Sequence, residues 1–516
     1  MTKVLVSVIT PIYQPNLGQL RHCLLSVGKH DGIEHILGVD GPDAVDNLQE
    51  FQKLASEFGA RIVTLDSHGG ISKATNLAVS AANGELLLLL DQDDFLLQGW
   101  QEELLPLVGE FEFIYSDRHA AQEDGTIIAN QVFFKPDWSP HRLLGNMYVS
   151  HFFAINRALF NELGGMRSVF DGSQDHDLAI RASEKNPGVK HIDVPLYAWR
   201  QTATSTALNP AAKSYAVDAG VKAINEHHVR TNSGMVTNAH PQYPGFYIHT
   251  YPSRTEPVSV IIPTGFALNE AGAPIVRQAM ASLENQLTKE KDEVVIVSST
   301  EDDKGTLDWA RTTLKCNVVH LIDTEPFNFS RRVNLGALQS TNQLIMFLND
   351  DVEFHSDSSL DSLAYLSQME NVGAVGVKLF FPDGRLQHAG HAYYNLGAHH
   401  PYYLTQDFTQ NFGDLILDRE VSGVTAACLM QRKSVWESVG GFTHELPSNY
   451  NDVDFCLKIR EKGYSIVQLN SVTATHYEST TRDPTLQDWE VRFIRHRWAH
   501  RMWQDRFTRV QELKTD

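Results

Sequence analysis

The sequence predicts an α/β protein in which two domains of one fold, each built on a mostly parallel sheet, follow one another. The first observation is a run of five leucines, 86–90, that ends in the acidic segment 91–94. Apolar runs of this length are typical of a central strand that is buried on both faces of a parallel sheet. The second observation is that the same pattern returns as the apolar run 344–348, followed by two aspartates at 350–351. A pattern that occurs twice in this form indicates a duplicated fold.

Strands and helices alternate through the first half of the chain at the spacing of βαβ units. The predicted elements up to the leucine run are strand 4–10, helix 17–27, strand 34–39, helix 44–58, strand 61–65 and a helix that opens at 69–76. Beyond residue 110 the alternation weakens, and the predicted elements there are helix 157–163, a helix after 172–177, strand 194–200 and helix 210–228.

The second half repeats the first. The strand 258–263 resembles 6–11, and the pairs Asn76 and Asn334, and Asp93 and Asp351, are both 258 positions apart (334 − 76 and 351 − 93). A repeat of this length is too long for a solenoid unit and indicates two domains. We therefore predict four segments, which are a first domain at 1–230, a connection at 231–256, a second domain at 257–485 and a C-terminal helix at 486–516.

Composition limits the function. The chain has 516 residues, a formal net charge of −20 and four cysteines without metal-ligand spacing. The negative charge argues against nucleic acid as a partner, because such binding needs a basic surface. The scattered cysteines, the strand close to the N-terminus and the lack of an apolar run of about 18 residues favour a cytoplasmic protein.

The C-terminal segment 489–510 is helical in period and rich in Arg, His, Trp and Phe. Such a helix suits peripheral contact with the anionic inner face of a cell membrane. The alternative, which we favour, is that the helix packs on the second domain and lays its long basic side chains over apolar surface.

The acidic segments 91–94 and 350–351 follow predicted strands directly. In open α/β sheets ligands bind outside the carboxyl ends of the strands. Clustered carboxylates repel one another unless a cation neutralises them, and oxygen ligands suit Mg²⁺ or Mn²⁺. We therefore expect a divalent cation at each acidic strand end.

Taken in order, the motifs resemble those of known enzymes. In the first half they are Asp91-Gln92-Asp93-Asp94, Phe134-Lys135-Pro136-Asp137-Trp138-Ser139-Pro140, Gly172-Ser173-Gln174-Asp175-His176-Asp177 and Leu196-Tyr197-Ala198-Trp199-Arg200. In the second half they are Pro326-Phe327-Asn328-Phe329-Ser330, Leu348-Asn349-Asp350-Asp351-Val352-Glu353, Gln387-His388-Ala389-Gly390, Asn451-Asp452-Val453-Asp454 and His476-Tyr477-Glu478-Ser479. The chain resembles two family 2 glycosyltransferase domains of GT-A (Rossmann-like) fold in tandem, as found in bacterial polysaccharide and O-antigen assembly.

The resemblance implies roles for particular residues. It assigns the general base, which accepts the proton of the attacking hydroxyl, to Asp175 and Asp452. The neighbouring Asp177 and Asp454 are expected to raise the pKa of that base by like-charge repulsion. The alternative is that Asp175 and Asp452 only cap the helices that follow them.

The resemblance also implies a set of metal and donor contacts. The implied metal ligands are Asp91, Asp93, Asp351 and His476. The implied contacts to the nucleotide sugar are Asp40, Asn76, Asp91, Arg200, Asn334, Asp350 and Arg482, of which Asp40 would contact the base and the two arginines would reach phosphate.

Each half departs from the family pattern in its own way. In the second half Ser298 and Ser299 follow the second strand, and Asn349 replaces the carboxylate of Asp91. In the first half Ala198 occupies a position where relatives commonly place a histidine, whereas the second half has His476.

We predict a metal-dependent, inverting glycosyltransferase with two active sites that takes sugars from nucleotide-sugar donors. Its acceptor would be a growing surface glycan or a lipid-linked glycan. Two alternatives remain open. One domain is a catalytically silent module that binds the glycan or nucleotide, or the chain is a nucleotidyltransferase, although no glycine-rich basic loop follows the first strand.

Overall fold

The computed structural model describes residues 3–201, 214–269, 271–302, 305–406, 413–478 and 485–508. By its internal contacts the chain divides into two compact units, Met1–Ile248 and His249–Asp516, which we call the first unit and the second unit. The predicted connection 231–256 contains this division. The limits predicted for the four segments stay a prediction.

The first unit contains one large sheet and eight α-helices among its described residues. Its strands are β1 (Val6–Ile12), β2 (Ile33–Val39), β3 (Arg61–Thr64), β4 (Leu86–Leu89), β5 (Phe95–Leu96), β6 (Phe113–Ala121), β7 (Ile127–Phe133), β8 (Phe153–Asn156) and β9 (Val189–Arg200). Its helices are α1 (Leu17–Val27), α2 (Leu48–Phe58), α3 (Ile71–Ser80), α4 (Trp100–Leu104), α5 (Pro140–Gly145), α6 (Arg157–Glu162), α7 (Gln174–Ser183) and α8 (Ser214–Arg230). A separate two-stranded sheet, β10 (Val236–Ala239) and β11 (Tyr247–Thr250), follows.

The second unit repeats this arrangement. Its strands are β12 (Val258–Thr264), β13 (Glu293–Ser298), β14 (Asn317–Ile322), β15 (Leu344–Leu348), β16 (Val352–Phe354), β17 (Val372–Phe380), β18 (Leu386–His388), β19 (Ala392–Tyr394), β20 (Gly397–His399), β21 (Arg419–Val421), β22 (Cys428–Arg432) and β23 (Ser465–His476). Its helices are α9 (Ile275–Ala281), α10 (Thr306–Thr313), α11 (Phe329–Gln339), α12 (Ser359–Ser367), α13 (Lys433–Ser438), α14 (Asn451–Glu461) and α15 (Asp488–Trp498).

The two large sheets have the same strand order. It is β3-β2-β1-β4-β8-β6-β9-β5 in the first unit and β14-β13-β12-β15-β22-β17-β23-β16 in the second. In each sheet the first four strands are parallel, the next strand (β8 or β22) is antiparallel to its neighbours, and the following pair, β6 with β9 or β17 with β23, is parallel again. The predicted duplication is thus present in the topology itself.

Both faces of the leucine strand β4 are covered, as the apolar run predicts. Leu86 and Leu88 pack with α1 and α2 on one face, whereas Leu87 packs with α3, α6 and α7 on the other. Successive strand residues point to opposite faces, so a strand buried on both sides has to be apolar throughout. The run can turn polar only where it leaves the sheet, and that is where the aspartates lie.

Of the element boundaries that differ from the sequence prediction, those of β1 and α2 have a local cause. Strand β1 runs two residues farther than the predicted 4–10, because Pro11 and Ile12 still pair with β2. Helix α2 begins at Leu48 rather than at 44. The side chain of Asn47 accepts a hydrogen bond from the backbone N of Glu50 and so sets the helix start.

His35, in strand β2, makes the stability of the fold depend on pH. Its side chain is buried, Thr10 Oγ1 lies 2.9 Å from Nε2, and burial lowers the pKa of His35 to about 3. Between that value and the ordinary pKa of about 6.5, the unfolded chain binds a proton that the folded chain does not. The free energy of unfolding therefore falls as the pH is lowered through this window, by about 2 kcal/mol at pH 5 from this residue.

Denaturant unfolding of the full chain and of His35→Gln at pH 7 and pH 5 measures the effect of His35. We expect a smaller loss in the variant, and an equal loss in both proteins would contradict the assignment.

Candidate active sites

In the first unit the aspartates that follow β4 differ in environment. Asp94 is buried, and its carboxylate accepts hydrogen bonds from the Tyr197 hydroxyl and from the backbone N of Arg200, both at 2.7 Å. Burial and the charges of Asp91 and Asp93 raise the pKa of Asp94 well above its usual value. Burial and the charge of Asp91 likewise raise the pKa of Asp93. Carboxylates held together in this way attract either protons or a cation.

His151, which the sequence did not single out, lies beside these aspartates. It precedes β8, and its Nδ1 lies 3.3 Å from Oδ2 of Asp91. Its ring stacks on Tyr197 and Trp199, with centroids 5.4 and 6.0 Å apart. One potential ligand atom from each of Asp91, Asp94 and His151 falls within 4.8 Å of the others. This trio includes the predicted ligand Asp91 but not Asp93, whose predicted metal contact stays a prediction.

Asp175 lies in the first turn of α7 and faces the same group. Its Oδ1 accepts a hydrogen bond from the backbone N of His176 at 2.9 Å. Burial raises the pKa of Asp175, the nearby charge of His151 opposes that shift, and the charge of Asp91 adds to it. The N-cap residue of α7 is Ser173 and that of α14 is Tyr450, so Asp175 is not the N-cap residue of its helix, and nor is its counterpart. The capping alternative therefore does not account for it.

Asp177 and Asp454, the neighbours of the proposed bases, are each paired with cations. Asp177 is fully buried between two arginines, and Arg181 donates to its Oδ2 at 2.6 and 3.0 Å while Arg167 donates to both oxygens. These cations hold the pKa of Asp177 below its usual value, so its charge is neutralised locally. Asp454 is matched in the same way, by Arg497 at 3.2 Å and Lys458 at 3.7 Å. Both aspartates anchor their helices.

In the second unit the acidic strand end faces His476. The Nε2 atom of His476 lies 3.1 Å from Oδ1 of Asp351 and 3.3 Å from Nδ2 of Asn349. The Nδ1 atom lies 2.6 Å from Oε1 of Gln387, an acceptor that fixes the proton on Nδ1. Nε2 faces Asp351, and an imidazole whose other nitrogen is held by a hydrogen-bond acceptor is the arrangement that metal-binding histidines use.

Asp350 and Asp452 complete the second site. Burial and the charge of Asp351 raise the pKa of Asp350 to about 6, although Thr264 donates a hydrogen bond to its Oδ2 at 2.6 Å. Asp452, in the first turn of α14, accepts hydrogen bonds from the backbone N of Val453 at 2.8 Å and of Ala426 at 3.4 Å. The next residue, Ala427, accepts from the backbone N of Asn349 at 2.9 Å. One short segment therefore contacts both the acidic strand end and Asp452.

Three further histidines of the second unit, His388, His391 and His400, also lie near Asp452. The Nε2 atom of His388 accepts from the backbone N of Gly390 and of Thr425, both at 3.2 Å. Its proton is therefore on Nδ1, which points at Nδ1 of His400 at 3.1 Å. The charge of Asp452 acts on both His391 and His400 and opposes the lowering of their pKa by burial. The sequence motif around His388 thus forms part of the surroundings of Asp452.

The strand register corrects the position assigned to Ala198. Phe95 pairs with Ala198, and Glu353, its counterpart 258 positions on, pairs with Thr475. Ala198 therefore corresponds to Thr475, and the counterpart of His476 is Trp199. This correspondence depends on how β9 and β23 pair across their sheets, which the sequence does not show.

Asn76 and Asn334 have a structural role that their spacing did not reveal. Nδ2 of Asn76 donates to the carbonyl O of Met166 at 2.8 Å, and its Oδ1 accepts from the backbone N of Met166 at 2.9 Å. Asn334 makes the same pair of bonds with Phe442, at 2.8 and 2.9 Å. Each asparagine therefore fixes the loop that precedes the helix of the proposed base. Their predicted contact with the nucleotide sugar stays a prediction.

These asparagines also explain why glycine occurs at the equivalent positions 165 and 441. Gly165 and Gly441 both have positive φ, of 71° and 66°. A Cβ at either position would lie about 2.5 Å from Oδ1 of Asn76 or Asn334 (2.6 and 2.5 Å). Only glycine combines this backbone conformation with so close an approach.

The remaining predicted donor contacts lie in different settings. Asp40 is buried, and its carboxylate accepts hydrogen bonds from the backbone N of Gly69 at 2.7 Å and of Gly70 at 3.0 Å. Arg200 is also buried, and it donates to the carbonyl O of Asp93 at 2.5 Å and of Glu123 at 2.7 Å. Its predicted contact with phosphate stays a prediction. Arg482 lies outside the described residues.

Comparison with known proteins identifies the family. The profile described as "Glycosyl transferase family 2" matches residues 7–164 and again 259–440. The chain belongs to glycosyl transferase family 2. The predicted enzyme class, glycosyltransferase, and the predicted fold class, two GT-A domains in tandem, are therefore confirmed.

Two curated relatives match nearly the whole chain. An uncharacterized Sinorhizobium fredii protein, y4gI, is 32% identical over 508 residues, which cover 93% of this chain and 53% of the relative. The O-antigen biosynthesis protein RfbC of Myxococcus xanthus is 33% identical over 490 residues, covering 93% and 38%. The chain thus spans about half or less of these relatives. Among solved structures, a mannosyltransferase from Pyrobaculum calidifontis with GDP-Man and Mn²⁺ is 19% identical, with a TM-score of 0.33 and coverage of 45% and 60%.

The C-terminal segment packs on the second unit. Ile494 and Trp498 of α15, and Met502 after it, are buried against Leu446 and Leu457. The helix ends at Trp498, earlier than the predicted 489–510, and the 3₁₀ helix Ala499–Arg501 follows it. Asp505 then accepts a hydrogen bond from the backbone N of Tyr393 at 2.7 Å. Among the described residues, no helix is both long and apolar enough to cross a lipid bilayer.

We expect Trp498→Ala to lower the free energy of unfolding by about 3 kcal/mol. The indole is buried, and its Nε1 donates to Asp454 on the helix that carries Asp452, at 2.8 Å. The matched control is Trp503→Ala, because the Trp503 side chain is exposed and should leave the melting temperature unchanged. Both variants are compared with the parent protein by melting curves and by co-sedimentation with anionic vesicles. If Trp498→Ala keeps the melting temperature of the parent protein but loses vesicle binding, the packing role is contradicted.

Proposed function

We propose that both units are catalytic and that the chain is a metal-dependent, inverting glycosyltransferase acting in the cytoplasm. It takes sugars from nucleotide-sugar donors and extends a growing bacterial surface glycan. The observation that carries the proposal is the same in both units. A carboxylate in the first turn of a helix, Asp175 or Asp452, is brought to the acidic end of the central strand.

The donor atoms present fit a divalent cation. In the first unit they come from Asp91, Asp94 and His151, and in the second from Asp351 and His476. Carboxylate oxygens with one imidazole suit Mn²⁺, and the oxygens suit Mg²⁺. When bound, the cation would neutralise the charge that develops on the diphosphate leaving group.

Asp175 and Asp452 supply the proton acceptor. The hydroxyl of the acceptor loses its proton as it attacks the anomeric carbon, so a carboxylate is required on the side opposite the leaving diphosphate. Burial raises the pKa of Asp175, and this increases its affinity for that proton. Direct attack from the opposite face inverts the anomeric centre.

The proposed donor contacts differ between the two units. Asp40 would contact the nucleotide base in the first unit, and Arg482 would contact phosphate in the second. The acceptor would be a glycan or a lipid-linked glycan. Peripheral contact with the inner face of the membrane would then involve the exposed Trp489 and Trp503, because the apolar face of α15 is already buried.

The second candidate function has one catalytic unit and one silent module that binds glycan or nucleotide. The observation that favours it is Asn349, whose uncharged amide replaces the carboxylate of Asp91 and lies 3.3 Å from His476. The silent copy would then be the second unit.

The test is incubation of the full chain with UDP-, dTDP- and GDP-sugars, with and without Mn²⁺. Release of nucleoside diphosphate and a product of inverted anomeric configuration support the proposal. Release of pyrophosphate would indicate nucleotidyl transfer, and turnover without any divalent cation would contradict the metal requirement.

A further inference from the structure

The repeat allows the two strand ends to be compared position by position. Leu86 pairs with Asn156, and its counterpart Leu344 pairs with Arg432, both in antiparallel register. Asn156 and Arg432 therefore occupy the same position. Counting back five residues along β8 and β22, the counterpart of His151 is Ala427.

The opposite side of the site shows the reverse substitution. The pairing of β5 with β9 and of β16 with β23 makes Trp199 the counterpart of His476. The first unit thus has histidine before β8 and tryptophan on β9, whereas the second unit has alanine before β22 and histidine on β23. Histidine has changed places between two positions that flank the same acidic strand end.

Both histidines reach the equivalent acidic group. Nδ1 of His151 lies 3.3 Å from Oδ2 of Asp91, and Nε2 of His476 lies 3.1 Å from Oδ1 of Asp351. The ring of Trp199, at the position of His476, lies parallel to that of His151 at 8° and covers one of its faces. We propose that His151 is the imidazole ligand of the divalent cation in the first unit. It would take the role proposed for His476 of β23 in the second unit, because β9 has Trp199 at that position. This inference rests on the metal dependence proposed above.

The surroundings of His151 hold it in place. The buried Lys135 donates through Nζ to the carbonyl O of Val149 at 3.0 Å and of His151 itself at 2.7 Å. The next residue, Phe152, has a positive φ of 51°, which a bulky side chain rarely adopts. Its counterpart Cys428 lies in the regular strand β22. The strained backbone therefore occurs in the unit whose histidine comes from this segment.

The position of His151 is central to the site. Besides its direct contact with Asp91, His151 lies close enough to Asp93 and to Asp175 to influence the pKa of each. His151 therefore lies among the carboxylates that would hold the cation in the first unit.

The test is pulsed electron paramagnetic resonance of Mn²⁺ bound to the full chain, in which a directly coordinated imidazole gives nitrogen modulation of the electron spin echo. The starting protein carries Asp351→Ala and His476→Ala, so that the second site is removed. We expect one bound Mn²⁺ with nitrogen modulation. Adding His151→Ala should remove the modulation and weaken Mn²⁺ binding at least tenfold. His30→Ala, a change at an exposed histidine in the same unit, should alter neither.

A second variant, which moves the imidazole from position 151 to position 199, tests the same role even if His151→Ala destabilises the unit. Combining His151→Ala with Trp199→His places the imidazole where the second unit has it, and should restore both the modulation and the affinity. Absence of bound Mn²⁺ from the starting protein would overturn the proposed metal dependence of the first unit, and the inference with it. If the starting protein binds Mn²⁺ without nitrogen modulation, and adding His151→Ala leaves the affinity for Mn²⁺ unchanged, the role of His151 alone is overturned.

Discussion

Asp452→Asn is expected to lower transfer by the second unit by about 10²–10⁴-fold, and Asp175→Asn to lower transfer by the first unit by a similar factor. Asparagine keeps the size of the side chain and can still accept the hydrogen bonds that Asp175 and Asp452 receive from the backbone N of His176 and Val453. It removes only the ability to take a proton. Binding of the nucleotide sugar should therefore persist in both variants.

The initial rate of transfer and the affinity for the nucleotide sugar are both measured for each variant. Acceptors that end in each of the transferred sugars are used. A matched control is Asp383→Asn, because Asp383 is exposed and pairs only with its neighbour Arg385 among the described contacts. Loss of donor binding in step with loss of rate would contradict the assignment of Asp175 or Asp452 as base.

The second large effect is expected from the strand ends. Asp351→Ala should abolish transfer by the second unit, and Asp93→Ala transfer by the first, while the fold survives. Asp351 faces His476 at 3.1 Å, so its loss leaves the imidazole without its carboxylate partner at the proposed cation site. Asp93 is the position that the family pattern assigns to the metal.

Circular dichroism and a Mn²⁺ titration of activity check this expectation. The variants should keep the spectrum of the parent protein and gain no activity at high Mn²⁺. Full activity of the parent protein in excess chelator would refute a catalytic role for the metal, and full activity of Asp93→Ala would leave Asp91 and Asp94 as its ligands.

Much of the architecture could be predicted because its signals are local. The leucine run, the acidic residues after it and their return 258 positions later lie in short stretches of sequence, and strand burial forces that pattern. The neighbours of Asp175 could not be predicted in the same way. Asp177 is neutralised partly by Arg167, ten residues earlier, and this pairing depends on how α7 packs.

The histidines show the same limit more clearly. His476 stands in a recognisable motif, but His151 reaches Asp91 only because β8 pairs with β4 in one particular register. The assignment of Ala198 failed for a related reason, since the counterpart of His476 is defined only by the pairing of β9 with β5 and of β23 with β16. The burial of Arg200 likewise follows from tertiary contacts to the carbonyl groups of Asp93 and Glu123.

Complementation distinguishes two catalytic units from one, on the proposal that the two units add different sugars in turn. Asp175→Asn and Asp452→Asn are each incubated with the nucleotide sugars that the full chain uses and with acceptors ending in each transferred sugar, then mixed, and polymer length is read on a gel. We expect each variant to stop after one addition, on different acceptors, and the mixture to restore extension. A ladder of parental length from either variant alone would contradict the presence of two catalytic units.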